Sequence, residues 1–68
     1  MTLQDCIDLN VDFNDMNTGY LFHIQDYNRS KRFGLPVNGI RVTIIGTTEI
    51  VGYYDPITKK WVGGCDED

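Results

Sequence analysis

The chain has 68 residues, of which 41% are hydrophobic and 12% aromatic, and its formal net charge at pH 7 is −4. This length allows one domain with a small apolar core, the aromatic content excludes a disordered chain, and no apolar run approaches the ~20 residues that span a bilayer. We therefore predict a single small β domain over residues 1–64 and an acidic C-terminal tail over residues 65–68. The first residues lack the cationic start and apolar core of a signal peptide, so we expect a cytoplasmic protein.

The charge is unevenly distributed along the chain. Residues 1–28 contain five acids and no base, and all six bases follow them. The five acids are Asp5, Asp8, Asp12, Asp15 and Asp26. An acidic protein is repelled at long range by nucleic acids and by anionic membranes. The charge therefore favours a protein partner with a basic surface over nucleic acid, and it predicts no membrane binding.

The first predicted strand covers residues 7–14, where apolar and polar residues alternate without interruption. The alternative is a helix that begins after Thr2, because Asp5 stands at the spacing of a capping box. Helix propensity is low for the two asparagines and the valine of residues 7–14, so we prefer the strand. We expect at most one helical turn, over residues 2–6.

A first hairpin follows. Turn-forming residues occupy positions 15–19, and a second alternating stretch begins at Tyr20, which predicts a second strand over residues 20–26. Residues 27–39 combine bases, a glycine and a proline, and we expect an exposed loop with a short irregular strand near Leu35 to Val37. Because Pro36 cannot donate a hydrogen bond to a neighbouring strand, a strand there would belong at a sheet edge.

Three further strands are predicted from residues 40–64, with turns at Gly46 to Thr48 and after Asp55-Pro56. The register of the last hairpin places Trp61 opposite Tyr54 and Val62 opposite Tyr53. Five short strands with tight turns indicate an all-β fold, a small five-stranded antiparallel barrel or sandwich of the Src-homology or KOW kind. An oligonucleotide-binding barrel is disfavoured, because Gly46 to Thr48 leaves no room for the helix between its third and fourth strands.

The outward face of the last three strands is the first candidate binding surface. If Val51, Tyr53 and Val62 fill the core, a set of apolar and aromatic side chains lies on the opposite face. This set is Ile45, Ile50, Tyr54 and Trp61. Exposed apolar patches mark interaction sites, and Trp and Tyr are enriched in interfaces. The structural alternative is that the first hairpin covers this face, since a sheet needs a second layer.

A second candidate surface combines bases with aromatic rings on the predicted loop, in a pattern that suits phosphates and unpaired nucleobases. Its residues are Tyr27, Arg29, Lys31, Arg32 and Phe33, with Lys59 and Lys60 if the last hairpin lies nearby. The alternative interpretation is an ordinary solvated loop that offsets the acidic half of the chain.

The sequence does not indicate catalysis. His23 is the only histidine, no Gly-rich phosphate loop is present, and neither Cys6 nor Cys65 belongs to a Cys-x-x-Cys pair. We expect no enzyme activity, no cofactor and no metal. Whether the two cysteines are free or bridged stays open.

These observations predict a non-enzymatic protein-binding module, such as an inhibitor or adaptor encoded by a phage or mobile element and acting on a host protein. Two alternatives stay open. One is a nucleic-acid-binding barrel that uses the basic and aromatic residues above. The other is a homo-oligomeric structural subunit whose aromatic face is the contact between copies.

Overall fold

The computed structural model of the chain describes residues 1–64, which form one antiparallel sheet and two short helices. In chain order the elements are α1 (Leu3–Leu9), β1 (Phe13–Asp15), β2 (Tyr20–Phe22), α2 (Ile24–Arg32), β3 (Ile40–Ile44), β4 (Ile50–Asp55) and β5 (Lys60–Gly64). The strand order is β1-β2-β3-β4-β5, with each strand paired to its neighbours in sequence. The predicted five-stranded antiparallel sheet is confirmed. Its closure into a barrel is not, because β1 and β5 are the two edges of an open sheet.

The strand predicted over residues 7–14 is wrong for most of its length, because helix α1 covers Leu3–Leu9. The Thr2 side chain accepts a hydrogen bond from the Asp5 backbone N–H, and the Asp5 carboxylate accepts one from the Thr2 backbone N–H, both at 3.2 Å. This capping box satisfies donors that the first turn leaves free. Asn10, in the left-handed region at φ 60°, ends the helix. Local capping thus prevails over the alternating pattern.

The second helix is also a correction, since we predicted a strand to residue 26, a loop from residue 27 and at most one helical turn in the whole chain. The predicted strand is present only over Tyr20–Phe22. Helix α2 covers Ile24–Arg32 and buries Ile24 and Tyr27, which are three residues apart on one side of the helix. Asp26 lies in its first turn, and its last turn is basic, an order that the helix dipole favours. Leu35 to Val37 lies in an irregular segment, so the short strand predicted there is wrong.

The strand pairing confirms the predicted hairpins and adds two irregularities. Trp61 pairs with Tyr54, as predicted. In the neighbouring ladder Val42 pairs with Gly52, whereas Thr43 pairs with Ile50, so one extra residue of β4 forms a bulge. Because neighbouring strand residues alternate between faces, Ile50 lies on the face of Thr43 and not on that of Val42. The β4–β5 register also shifts, between Gly52 and Tyr54. This is the stretch where Val62 was predicted opposite Tyr53.

The core lies between the helices and one face of the sheet. The side chains of Ile24, Ile40 and Val42 are fully buried, and Cys6, Phe22 and Tyr27 are buried around them. They come from both helices and from two central strands, β2 and β3. Hydrophobic burial therefore joins α1 and α2 to the middle of the sheet.

Five rings continue this core along the same face and form what we name the aromatic cluster. Its residues are Phe13, Tyr20, Phe22, Tyr54 and Trp61. The Trp61 ring centroid lies 5.7 Å from that of Tyr54, 6.0 Å from that of Tyr20 and 6.2 Å from that of Phe22. These are favourable separations for tilted and edge-on ring pairs. In a flat sheet β2 and β5 would be about 14 Å apart, three strand spacings, so the sheet must curl for their side chains to meet.

The first prediction concerns Gly39, which precedes β3. Its φ is +136°, and a Cβ there would lie 3.0 Å from the Tyr54 carbonyl oxygen and 3.1 Å from Val62 Cγ2. We expect Gly39→Ala to lower the free energy of unfolding by about 2–3 kcal/mol, measured by urea titration. Gly34→Ala is the matched control, because φ is +73° but no atom lies within 4 Å of the added Cβ. Its cost should stay near 1 kcal/mol, roughly that of the left-handed backbone alone. Equal midpoints for the two variants would contradict the steric argument.

The second prediction concerns Trp61, which is 49% exposed although its ring contacts three others. Truncation of a fully buried Trp or Phe costs about 3–5 kcal/mol. Only about half of the Trp61 surface is buried, so Trp61→Ala should lower the free energy of unfolding by about 2 kcal/mol. Ile57→Ala, at an 83% exposed position of the same hairpin, should stay within about 0.5 kcal/mol of the parent. Denaturant unfolding of both variants checks this. A neutral Trp61→Ala would show that the ring contacts do not support the sheet.

Candidate functional site

An open groove of about 1030 Å³ lies between α2, the segment over residues 35–39, and β3 to β5. We name it the α2–sheet groove. Its walls come from α2, from the segment that follows this helix, and from the three strands. Its lining residues are Asp26, Tyr27, Arg29 and Ser30 from the helix, Leu35, Pro36, Val37, Asn38 and Gly39 from the segment, and Arg41, Tyr53 and Val62 from the strands.

The strand wall of the groove combines a charged and an apolar side. Arg41 and Tyr53 are directly opposite each other in the β3–β4 ladder, so their side chains share one face. Val62 of β5 adds an apolar side chain on that wall. The facing segment contributes Leu35, which is 56% exposed. The groove thus presents apolar surface next to a guanidinium group.

Two arginines surround one carboxylate at the helical side of the groove. Arg41 Nη2 donates a hydrogen bond to Asp26 Oδ2 at 2.5 Å, and Arg29 Nη2 lies 3.8 Å from Asp26 Oδ1. The Arg41 contact ties α2 to β3. The Nε atom of Arg41 is buried and has no hydrogen-bond partner among residues 1–64. A single carboxylate therefore does not satisfy the donors of these two guanidinium groups, which carry five N–H bonds each.

Tyr27 forms part of the groove but is only 8% exposed. Burial raises the pKa of its phenol above the ordinary value of 10.0, and the negative charge of Asp55 raises it further. The Lys31 ammonium lies 5.2 Å from the centre of the ring. Tyr27 is therefore a neutral, covered ring that supports the groove.

The residues predicted to bind nucleic acid differ in exposure and lie at two separate places in the structure. Tyr27 is buried beneath Lys31, while Arg29, Arg32 and Phe33 are exposed around the C-terminal end of α2. Lys59 and Lys60 are exposed at the turn from β4 into β5. The two rings that were expected to stack on bases thus differ in accessibility, since only Phe33 is available.

The residues predicted to form a partner-binding face do not share one face of the sheet. They are Ile45, Ile50, Tyr54 and Trp61. Tyr54 and Trp61 pack into the aromatic cluster on the core face, whereas Ile50 lies opposite Thr43 on the other face. The Ile45 backbone N–H donates to the Gly19 carbonyl beside the first hairpin turn. The bulge in β4 is the physical reason, because it breaks the alternation that the prediction assumed.

Sequence reasoning missed the groove because helix α2 was not predicted. Asp26 was considered with the other acids and Arg41 with the other bases, and no contact between the two was predicted. Tyr53 and Val62 were expected in the core, but the structure leaves both partly exposed on the groove wall. One signal was present in the sequence: Arg41 is a base between two β-branched strand residues, and such a position predicts a charged side chain on the outer face of a sheet.

His23 and Cys6 do not line the groove. His23 precedes α2, and its Nε2 atom shares a hydrogen bond of 2.8 Å with Oγ1 of the buried Thr43. This contact joins the start of the helix to β3. Cys6 is buried in α1, while Cys65 lies outside the described residues, as does the predicted acidic tail. Within residues 1–64 no group of three or more His, Cys, Asp or Glu side chains is placed to hold a metal ion.

Neither helix in the described part of the chain is long and apolar enough to cross a membrane. Comparisons with known protein families, with curated proteins and with solved structures find no match for this chain. The groove is therefore the feature of the molecule from which a function can be inferred.

The raised pKa of Tyr27 gives a pH prediction. Between the pKa of the unfolded chain, near 10, and the higher pKa of the folded protein, unfolding releases the Tyr27 proton, so rising pH favours the unfolded state. The stabilisation is complete below about pH 10 and is lost above it. We expect Tyr27→Phe to lose less stability than the parent between neutral pH and about pH 11. Urea unfolding at both pH values measures the difference, and an identical loss in both proteins would contradict it.

Proposed function

We propose that this chain is a protein-binding module that holds a segment of a partner protein in the α2–sheet groove. The observation that carries the proposal is an open groove of about 1030 Å³ in which exposed apolar side chains adjoin two arginines. Apolar surface bordered by charge is typical of interaction sites, and Tyr and Arg are enriched in them. Such a module acts as an inhibitor when the bound segment belongs to the working site of its partner, and as an adaptor otherwise.

The dimensions of the protein indicate what kind of segment would fit. The longest extent of the Cα trace is 29 Å. An extended chain advances ~3.3 Å per residue, so a groove across this domain accommodates at most about eight residues. A short linear segment of a partner is therefore a better match than a broad, flat interface.

The proposed site differs from the face composed of Ile45, Ile50, Tyr54 and Trp61. The rings of Tyr54 and Trp61 lie 5.7 Å apart and contact Phe22, so much of their surface is already used within the fold. In the groove, Tyr27 and Val37 pack against the core, but the neighbouring Leu35 does not. Leu35 in particular is 56% exposed and is not part of the buried core.

Nucleic-acid binding is the second candidate, supported by the exposed Arg29, Arg32 and Phe33 near the end of α2. The net charge of −4 opposes it at long range, and Tyr27 is not free to stack. If nucleic acid were the ligand, affinity would fall steeply with salt and would be lost when Arg29, Lys31 and Arg32 are replaced by Ala.

The decisive experiment is a selection of random linear peptides displayed on phage against the immobilised protein, followed by binding tests on two variants. Leu35→Glu places a charge in the groove, whereas Ile57→Glu makes the same change at an 83% exposed residue that does not line it. We expect selected peptides to bind the parent and Ile57→Glu equally and to lose at least about 10-fold in affinity for Leu35→Glu. Amide NMR spectra confirm that both variants are folded.

Three outcomes would contradict the proposal. The first is the absence of any peptide whose binding depends on Leu35. The second is a salt-sensitive response to single- or double-stranded nucleic acid that the triple Ala variant loses. The third is concentration-dependent association in sedimentation experiments that Leu35→Glu abolishes, because the groove would then bind a second copy of this chain.

A further inference from the structure

We infer that the segment bound in the α2–sheet groove is acidic, and that Arg41 and Arg29 together receive one of its carboxylates. This inference rests on the proposed function, because it names the chemistry of the partner at the same site. Three observations support it: the charges around the groove, the unused donors of the two guanidinium groups, and the apolar surface beside them.

The charges around the groove leave an excess of one positive unit. Arg29 and Arg41 contribute two positive charges, and Asp26 cancels one of them. Lys31 and Asp55, which both act on Tyr27, cancel each other. The groove is thus locally positive although the chain has a net charge of −4. It matches a single carboxylate, whereas a phosphoryl group, with about −1.5 to −2 charges at neutral pH, would exceed it.

The hydrogen-bond geometry leaves room for a second carboxylate. Arg29 Nη2 lies 3.8 Å from Asp26 Oδ1, beyond hydrogen-bond distance, and the Arg29 side chain is 64% exposed. Arg41 donates one hydrogen bond to Asp26 through Nη2, and its side chain is 41% exposed although its Nε is buried. Arginine binds carboxylates best through two parallel N–H donors. Asp26 therefore holds the two guanidinium groups close together without using up their donors.

The apolar part of the groove indicates the neighbours of the acidic residue. Leu35, Val37 and Val62 line the same groove as Arg41. A bound segment that places a carboxylate on the arginines would lay its adjoining residues on these side chains. We therefore expect one or more apolar residues within a few positions of the acid.

The sequences obtained from the peptide selection test this inference directly. We expect Asp or Glu to be enriched relative to the starting library. One selected peptide is then synthesised in two forms, with its acidic residue intact and with that residue replaced by the corresponding amide. Fluorescence polarisation at constant ionic strength should show about a 10-fold loss for the amide form, the size expected for a charge-assisted hydrogen bond.

Two arginine variants identify the receiving groups, and a third is the control. Arg41→Gln and Arg29→Gln should each weaken the acidic peptide by about 10-fold. Arg32→Gln removes the same charge from the same helix turn but does not line the groove, so it should change affinity less than about 2-fold. If Arg41→Gln does not fold, Arg29→Gln decides, because its side chain is mostly exposed.

A double-mutant cycle separates direct recognition from a structural effect. Arg29→Gln should lower the affinity for the acidic peptide but not for its amide form, because the amide form lacks the carboxylate contact with the parent as well as with the variant. An equal loss for both peptide forms would overturn the inference. Enrichment of neutral or basic peptides that still depend on Leu35 would also overturn it but would leave the proposed function intact. Without any Leu35-dependent peptide, both fail.

Discussion

The contact of Trp61 with the rings of β2 is the constraint on which the shape of the sheet depends. Strands β2 and β5 are separated by two others, yet the Trp61 and Tyr20 ring centroids lie 6.0 Å apart. The sheet meets this condition by curling toward the core face. Gly52 is buried on that face opposite Val42 and adds no side chain of its own between the two strands. Val62, the neighbour of Trp61 in β5, is part of the wall of the α2–sheet groove.

The strands after residue 40 were predictable because their pattern has a single interpretation. Alternating β-branched and aromatic residues, with turns at Gly46 to Thr48 and at Asp55-Pro56, specify a meander, and even the Tyr54–Trp61 pair follows from it. In the first 32 residues only the β1–β2 hairpin was predictable, since two local preferences compete in the residues before it. Alternation over residues 7–14 indicated a strand, but the mutual hydrogen bonds of Thr2 and Asp5 stabilise a helix start, and only Phe13–Asp15 remains extended.

The groove could not be predicted from the sequence, because its walls come from a helix that was not foreseen and from a strand with a bulge. Arg41 and Asp26 are 15 positions apart and meet only because α2 packs on β3. A bulge adds one residue, and every side chain on one side of it changes face. Gly52, a glycine within the strand pattern beside the bulge, was the signal that could have indicated it. The bulge explains why Ile50 and Tyr54, four positions apart, lie on opposite faces. A binding surface that depends on tertiary packing is therefore harder to predict from hydrophobic patterns in the sequence than the strands themselves.

The segment over residues 35–39 contains both exposed side chains that line the groove and a glycine that the fold requires. Leu35 and Asn38 line the groove but are exposed and lie outside the buried core, whereas Gly39 at the end of the segment is held by its contacts with β4 and β5. Exposed loop residues tolerate substitution because few contacts depend on them. Under the proposed function, specificity could diverge among descendants of this domain through changes at positions 35 and 38, while Gly39 and the aromatic cluster stay fixed. A domain of this size would then keep its fold while the side chains that contact the partner change.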